Sequence, residues 1–429
     1  MCTYIRMAAA AVALMFLPLR SEAQGVEHPI QSDTLLARLT AEAVAANPGL
    51  QARRASARAA AKRIEPAGAL SDPMLSVGVM DLTLPRFAFR ESDFTEVDLE
   101  VSQDFPWPGT LGARTQAARA QARGRGADVE VRRRDVVVRT AELYYRLRYV
   151  LTARAALVRQ RSLLAAAVEI ATTRYATASA PQSDPLQARV ALARLDAEDA
   201  DLAEQQATVG AQLKALRGVR GRERLTIELI RLDTVPPVVH GAPGGPVLMP
   251  DSLPAHPRLA ARRATLEAAE RTIRVEQLGG RPDFSITTRY GARPLGSDFF
   301  SAFVGIRVPL WAGRKQSRLA DAARADADAA RAALEEETAQ LDAELQTVVA
   351  GVMSGETRLR LLIGQVVPAA RATVEAVLRS YRVGQAPFLN VLAAEDSLYR
   401  AELEAVMVAA EHFTHLVMLE QLMLTEAAQ

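Results

Sequence analysis

The sequence predicts a mainly α-helical protein with a smaller β portion, built from one strand–strand–long helix–helix unit that occurs twice. The motif DFPWPG at 104–109 is repeated as VPLWAG at 308–313. Farther along each half, RYATASAPQSDPLQA begins at Arg174 and SYRVGQAPFLNVLAA begins at Ser380. The composition agrees with this plan, since 49% of the residues are hydrophobic but only 5% are aromatic, which suits close helix packing.

The predicted domain order is a leader, a first repeat, a proline-rich segment and a second repeat. Residues 1–23 are typical of a secretory signal, with Arg6, an apolar run and a small-x-small cleavage site. The first repeat is predicted at 24–218 and the second at 257–429. Between them, 219–256 is rich in proline and fits neither a long helix nor a strand. The only cysteine is Cys2, so the chain without its leader has no thiol chemistry and no disulfides.

Charge and motif content exclude several classes of function. Residues 1–23 contain two arginines and one glutamate, so 50 basic and 49 acidic residues remain of the 52 and 50 in the whole chain. This balance argues against a nucleic-acid partner. The sequence has no nucleophile elbow, phosphate loop or metalloprotease motif, and we predict that the protein is not an enzyme and needs no cofactor.

Four long helices are predicted. Apolar residues recur at seven-residue spacing, which is typical of coiled-coil packing; they include Val129, Val136, Leu143, Val150, Leu157 and Leu164 in the first half. The first long helix is predicted at 109–178 and its returning partner at 183–217, and the second pair at 313–381 and 387–425. The first long helix contains no proline over about seventy residues, which predicts a rod of roughly 105 Å. Pro368 is expected to kink the second long helix.

Four strands of about ten residues are predicted, at 74–84, 94–104, 283–291 and 299–308, each with an apolar and a polar face. On the second strand Val97 and Leu99 share a face, and the acidic residues share the other. Strands of this length and alternation are typical of outer-membrane barrels, although a soluble two-stranded sheet alternates in the same way. Four strands cannot enclose a pore, whereas three copies would supply twelve. The polar face would then line a lumen with Glu96, Asp98, Glu100, Arg289 and Arg307, and the acidic stripe would favour cations.

These motifs resemble the TolC family of outer-membrane efflux channels over roughly residues 32–425. The most specific segments are the two helix-to-helix turns, Tyr381 to Leu392 and Tyr175 to Ala188. The segments DPMLSVGVMDLTLP and SQDFPWPGTLG are similar to the branch that serves heavy-metal cation exporters of the resistance–nodulation–division class.

The resemblance implies a homotrimer in the outer membrane of a Gram-negative bacterium, with a twelve-stranded barrel continued by a periplasmic helical barrel. The turns at the far end would form the gate and contact a periplasmic adaptor and, with it, an inner-membrane pump. The residues that match the family's turn motifs are Tyr175, Asp184, Leu186, Tyr381, Gly384, Asn390 and Leu392.

This chain departs from the family's pattern at the gate. Asn390, Ala386 and Ala393 stand where many members carry two acidic residues and an arginine, so the usual salt-bridge lock is missing. Ala178 stands where the family prefers glycine, and a left-handed backbone would be costly there.

Two alternative functions are compatible with the sequence, and one pair of histidines is a candidate metal site. A type I secretion duct would share the architecture, and a soluble periplasmic coiled-coil adaptor or scaffold would share the helices. His412 and His415 could ligate a metal from one helix face, but their position within the heptad pattern favours a packing role, and no metal site is predicted.

Overall fold

The computed structural model describes residues 33–423 except 83–84, 86–87, 91, 222–224 and 233–254. The predicted signal, most of the proline-rich segment and the last six residues lie outside this part of the chain. In order, the elements are α1 Thr34–Ala46, α2 Pro48–Lys62, α3 Ile64–Ala67, β1 Met74–Met80, β2 Glu96–Phe105, α4 Thr110–Ala176, α5 Ser183–Leu216, α6 Pro257–Leu278, β3 Asp283–Ala292, β4 Phe299–Arg307, α7 Gln316–Leu361, a π-helical turn Leu362–Val366, α8 Val367–Arg382 and α9 Phe388–Met423.

Equivalent caps start the helices that precede the strands in each repeat. The side chain of Asn47 accepts a hydrogen bond from the backbone N–H of Leu50 at 3.0 Å, and Pro48 is the first helical residue. His256 does the same before Pro257, accepting from the backbone N–H of Arg258 at 3.3 Å. Proline suits this first position because its missing N–H would have no partner inside the helix.

The four strands form one antiparallel sheet in the order β1-β2-β3-β4. The central pair, β2 and β3, joins the two repeats, with Glu100 opposite Arg289. β1 is shorter than the predicted 74–84, because Asp81 has a φ of 52° and turns the backbone out of the strand. The side chain of Thr95 holds this turn by donating a hydrogen bond to the Asp81 carbonyl at 2.8 Å.

The long helix α4 organises the rest of the molecule. Its 67 residues span about 100 Å and leave the sheet directly after Gly109. Near the sheet it packs against α2, α3 and α6, and farther away against α5 and α9. At mid-length, Tyr144 is buried and donates a hydrogen bond at 2.6 Å to Asp33, which also caps α1. Burial raises the pKa of Tyr144 far above its usual range.

The second long helix is interrupted where the sequence places Pro368. The π-helical turn Leu362–Val366 ends two residues before Pro368, and the N–H of Val367 donates to the Leu362 carbonyl five residues back. Because proline lacks an N–H, the ladder of hydrogen bonds must change locally at this point. Within Gln316–Arg382 an 18-residue window reaches a mean hydropathy of 1.4 and is only 17% buried, so by length and composition this stretch could also cross a membrane.

Candidate functional site

The two helix-to-helix turns close with the same backbone hydrogen bonds. In the first, Ala178 N–H donates to the Tyr175 carbonyl at 2.9 Å and Ser179 N–H to the Arg174 carbonyl at 2.8 Å. In the second, Gly384 N–H donates to Tyr381 and Gln385 N–H to Ser380. This pattern is the Schellman motif, which needs a left-handed residue. Gly384 supplies it with φ 77°, and Ala178 adopts φ 54° despite its Cβ.

A small apolar group, which we call the tip cluster, holds the turns together. It consists of Ala171, Ala188, Tyr381, Phe388 and Val391. The rings of Tyr381 and Phe388 lie 5.4 Å apart and are almost completely buried. Burial raises the pKa of the Tyr381 hydroxyl, and Arg174 acts in the opposite direction. Because the cluster draws residues from α4, α5, α8 and α9, both helical hairpins share one core at this end.

Arg174 connects the two turns, a role that the sequence pattern does not predict. Its Nη1 donates to the Tyr381 backbone carbonyl at 2.8 Å, and its Nη2 donates to the Ser179 carbonyl at 3.3 Å. Its guanidinium carbon lies 4.6 Å from the centre of the Tyr381 ring, a cation–π geometry. The only indication in the sequence is that Arg174 directly precedes Tyr175, the aromatic residue of the first turn. The contact with Tyr381 could not be predicted, because the sequence does not show which residues of the two repeats lie together.

The residues predicted for the gate fall into an exposed and a buried group. Tyr175, Leu186 and Asn390 are exposed, with Leu186 at 52%. Asp184 is only 9% exposed and Leu392, which packs against the tip cluster, is half-buried. The structure therefore does not present Asp184 as a freely accessible carboxylate.

The polar face of the sheet brings together the five residues predicted to line a lumen. Glu100 and Arg289 form an ion pair at 3.1 Å, and Arg307 pairs with Asp104 at 3.3 Å. Glu96 is buried and pairs with Arg293 at 3.3 Å. These arginines offset much of the negative charge of Glu96, Glu100 and Asp104, and so weaken the predicted preference for cations. The pairing of acidic and basic side chains depends on the register between neighbouring strands, which the sequence does not give.

The opposite face of the same sheet is apolar and uncovered. Val304 is 76% exposed, Val77 73% and Phe300 69%. They belong to a larger set of exposed side chains on this face, which also includes Leu75, Val79, Val97, Leu99, Val101, Ile286, Tyr290 and Ile306. An apolar patch of this extent normally marks contact with a membrane or another protein.

The two histidines of α9 pack against glycines of α7. A Cβ at Gly351 would lie 2.8 Å from the His415 ring, and one at Gly355 would lie 3.0 Å from Nδ1 of His412. Among the residues that the structure describes, no group of three or more His, Cys, Asp or Glu side chains is arranged to hold a metal ion.

The chain is similar to one sequence family over part of its length and to several solved structures over most of it. The sequence profile of the family described as Outer membrane efflux protein matches residues 248–423. No curated protein sequence gives a significant match to the chain. The solved structure of the outer-membrane channel OprN is similar, with a TM-score of 0.79 and 18% identity, covering 92% of this chain and 91% of that one.

Two further solved structures share this fold. CusC, which forms a transmembrane channel, has a TM-score of 0.78 at 16% identity, with coverage of 91% of this chain and 92% of that one. The outer membrane protein VceC from Vibrio cholerae has a TM-score of 0.73 at 20% identity, with coverage of 91% and 96%. The similarity extends over nearly the full length of each, so both repeats and the sheet are part of the shared architecture.

Proposed function

We propose that the chain forms a passive exit duct through the outer membrane, from the premise that residues 248–423 match the sequence profile of the outer membrane efflux protein family. The observation that carries the proposal is the four-stranded sheet, which is apolar and exposed on one face and polar on the other. A sheet with these faces suits a lipid boundary on the outside and an aqueous lumen inside.

We propose that three copies assemble. Within the described residues, neither edge strand, β1 or β4, has a second partner strand. Unpaired backbone groups are too costly in lipid, so a membrane-embedded sheet must close on itself. Four strands are too few for an open lumen, whereas three sheets joined edge to edge give twelve. The largely exposed apolar window within Gln316–Arg382 would be covered by neighbouring helices of the same assembly.

The turns at the far end are the proposed gate. They lie about 100 Å from the sheet, at the end of α4, and their exposed residues Tyr175, Leu186 and Asn390 are available to a periplasmic adaptor. Opening would move the helical hairpins apart when the adaptor packs against them. The duct holds no energy source, so the inner-membrane pump, of the resistance–nodulation–division class, would supply the driving force. The cargo, whether metal cations or drugs, would be selected by that pump.

The experiment compares two substitutions on adjacent residues of β4. Val304→Arg places a charge on the exposed apolar face, and Phe303→Arg places the same charge on the polar face. An arginine near the bilayer centre costs roughly 2–4 kcal/mol in a barrel, and one facing the lumen costs much less. We expect Val304→Arg to abolish recovery of the trimer from outer membranes and Phe303→Arg to preserve it.

Fractionation and unheated gel mobility measure the result, and conductance in planar bilayers tests for a pore. If the wild-type protein is recovered as a soluble species and the two variants behave alike, the channel proposal is wrong. That outcome would favour the periplasmic scaffold.

A further inference from the structure

Two exposed apolar residues, Leu310 and Trp311, lie in the turn after β4 at the end of the sheet nearest the helices and form what we call the hydrophobic ledge. Leu310 and Trp311 follow β4 and are 82% and 70% exposed, among the most exposed large apolar side chains in the described residues. Trp107 occupies the equivalent turn after β2, where it stacks on Phe284 with ring centres 5.9 Å apart. Tryptophan at the end of an apolar band is typical of a membrane–water interface.

Directly beyond this ledge the chain is basic in both repeats. Residues 312–320 contain two arginines and one lysine and no acidic residue, and 110–127 contain four arginines and no acidic residue. The chain as a whole has nearly equal numbers of acidic and basic residues, so this excess is local. Because Gly109 and Gly313 are equivalent, Arg114 and Arg318 occupy the same position in the two repeats.

We define the basic collar as Arg114, Arg314, Lys315 and Arg318, all of which are exposed. Arg114, Arg314 and Lys315 form no ion pair with any described residue, and Arg318 has only a long contact of 3.9 Å with Asp321. Arg314, Lys315 and Arg318 follow Trp311 by three, four and seven residues, and Arg114 follows Trp107 by seven. The collar is therefore close enough to the ledge to act on headgroups beside it.

We propose that the basic collar and Trp311 bind the headgroups of anionic phospholipids, such as phosphatidylglycerol, in the periplasmic leaflet. The proposal rests on the proposed function, which assigns this end of the sheet to that leaflet. Charge complementarity supports it, since basic residues next to a membrane surface attract anionic lipids by on the order of fivefold each. The hydrophobic ledge would fix how deep the basic collar lies in the headgroup region. Because the same arrangement occurs in both repeats, each protomer would make two such contacts with lipid.

The test uses lipid-selective quenching of tryptophan fluorescence in the full-length mature protein. The chain has two tryptophans, so Trp107→Phe leaves Trp311 as the only reporter. This parent protein is reconstituted in phosphatidylcholine vesicles that contain brominated phosphatidylglycerol or brominated phosphatidylcholine, and the ratio of quenching gives a relative binding constant. The test variant adds Arg314→Gln, Lys315→Gln and Arg318→Gln. The matched control instead adds Arg159→Gln, Arg360→Gln and Arg379→Gln, which are exposed arginines far from the sheet.

We expect a relative constant of at least about fivefold in favour of phosphatidylglycerol for the parent and the control, falling toward one in high salt. The test variant, which keeps only Arg114 of the basic collar, should lose most of this preference for phosphatidylglycerol. If that variant does not insert, the salt titration of the parent still decides. A relative constant near one for the parent, or an equal loss of preference in the control, overturns the proposal. The proposal is also overturned if the protein inserts but neither brominated lipid quenches Trp311, because a second copy of the chain would then cover the ledge. Failure of the proposed function is distinct, since no protein would then float with the vesicles.

Discussion

If the two turns form the proposed gate, replacing Arg174 with glutamine should loosen its closed state, because the Arg174 side chain makes a polar connection between the two turns. The substitution removes a charge-assisted hydrogen bond of 2.8 Å to the Tyr381 carbonyl and the guanidinium that lies 4.6 Å from the Tyr381 ring. Hydrogen bonds to charged groups contribute about 1.5–3 kcal/mol and cation–π contacts about 0.5–2 kcal/mol. Arg174 is only half-buried, so the lower ends apply and the combined loss is about 2 kcal/mol.

If this interaction exists only in the closed state, a loss of about 2 kcal/mol changes the ratio of closed to open channels roughly 30-fold. The assay is single-channel recording of the purified protein in planar bilayers. Open probability should rise in Arg174→Gln, and Arg174→Lys should restore part of the closure because it keeps the charge but not the planar fork. The matched control is Arg382→Gln, which removes an exposed arginine beside the same turn.

A double-mutant cycle with Tyr381→Leu isolates the ring contact, since the carbonyl remains in that variant. The reasoning is refuted if Arg174→Gln and Arg382→Gln conduct alike and the coupling between Arg174 and Tyr381 is close to zero.

Three further predictions concern stability. Ala178→Gly should stabilise the protein by up to about 1 kcal/mol, because glycine adopts the left-handed backbone conformation without the strain that alanine has there. Gly384→Ala should destabilise it by a similar amount for the same reason. Chemical denaturation measures both changes in the free energy of unfolding, and changes of the same sign would contradict the strain argument. Burial and nearby arginines lower the pKa of His256 to about 4 in the folded protein. As the pH falls from about 6.5 to about 4, the imidazole therefore binds a proton in the unfolded state but not in the folded one, and the free energy of unfolding should decrease. His256→Asn keeps the helix cap and should show a smaller fall in thermal melts at the two pH values, whereas an identical pH profile would exclude His256 as the cause. Gly351→Ala should cost about 1–3 kcal/mol because its Cβ would meet the His415 ring at 2.8 Å, and an unchanged melting temperature would show that the ring moves freely.

Much of the architecture follows from the sequence because it depends on local patterns. The heptad spacing predicts long helices at 109–178 and 313–381, and the structure has α4 at Thr110–Ala176 and helical structure from Gln316 to Arg382. The form of the interruption in the second helix could not be predicted. Pro368 predicts that the helical hydrogen bonding is disturbed, but not that a π-helical turn results.

Contacts between distant residues could not be predicted in the same way. The alternation of β2 predicts its acidic face, but the pairing of Glu100 with Arg289 depends on the register between strands from different repeats. The Arg174–Tyr381 contact has the same origin, because it joins helices whose adjacency the heptads do not specify.

The pairing of β2 with β3 has a consequence for biogenesis. Ser102 and Thr287, which hydrogen-bond across this pair at 3.0 Å, are separated by 185 positions in the chain. Contacts between such remote residues form slowly, because a long loop must close before they contribute. In the proposed outer-membrane duct, a nascent chain would thus reach the periplasm with its first hairpin still lacking its neighbour. Chaperones there would have to shield that hairpin until translation and export were complete.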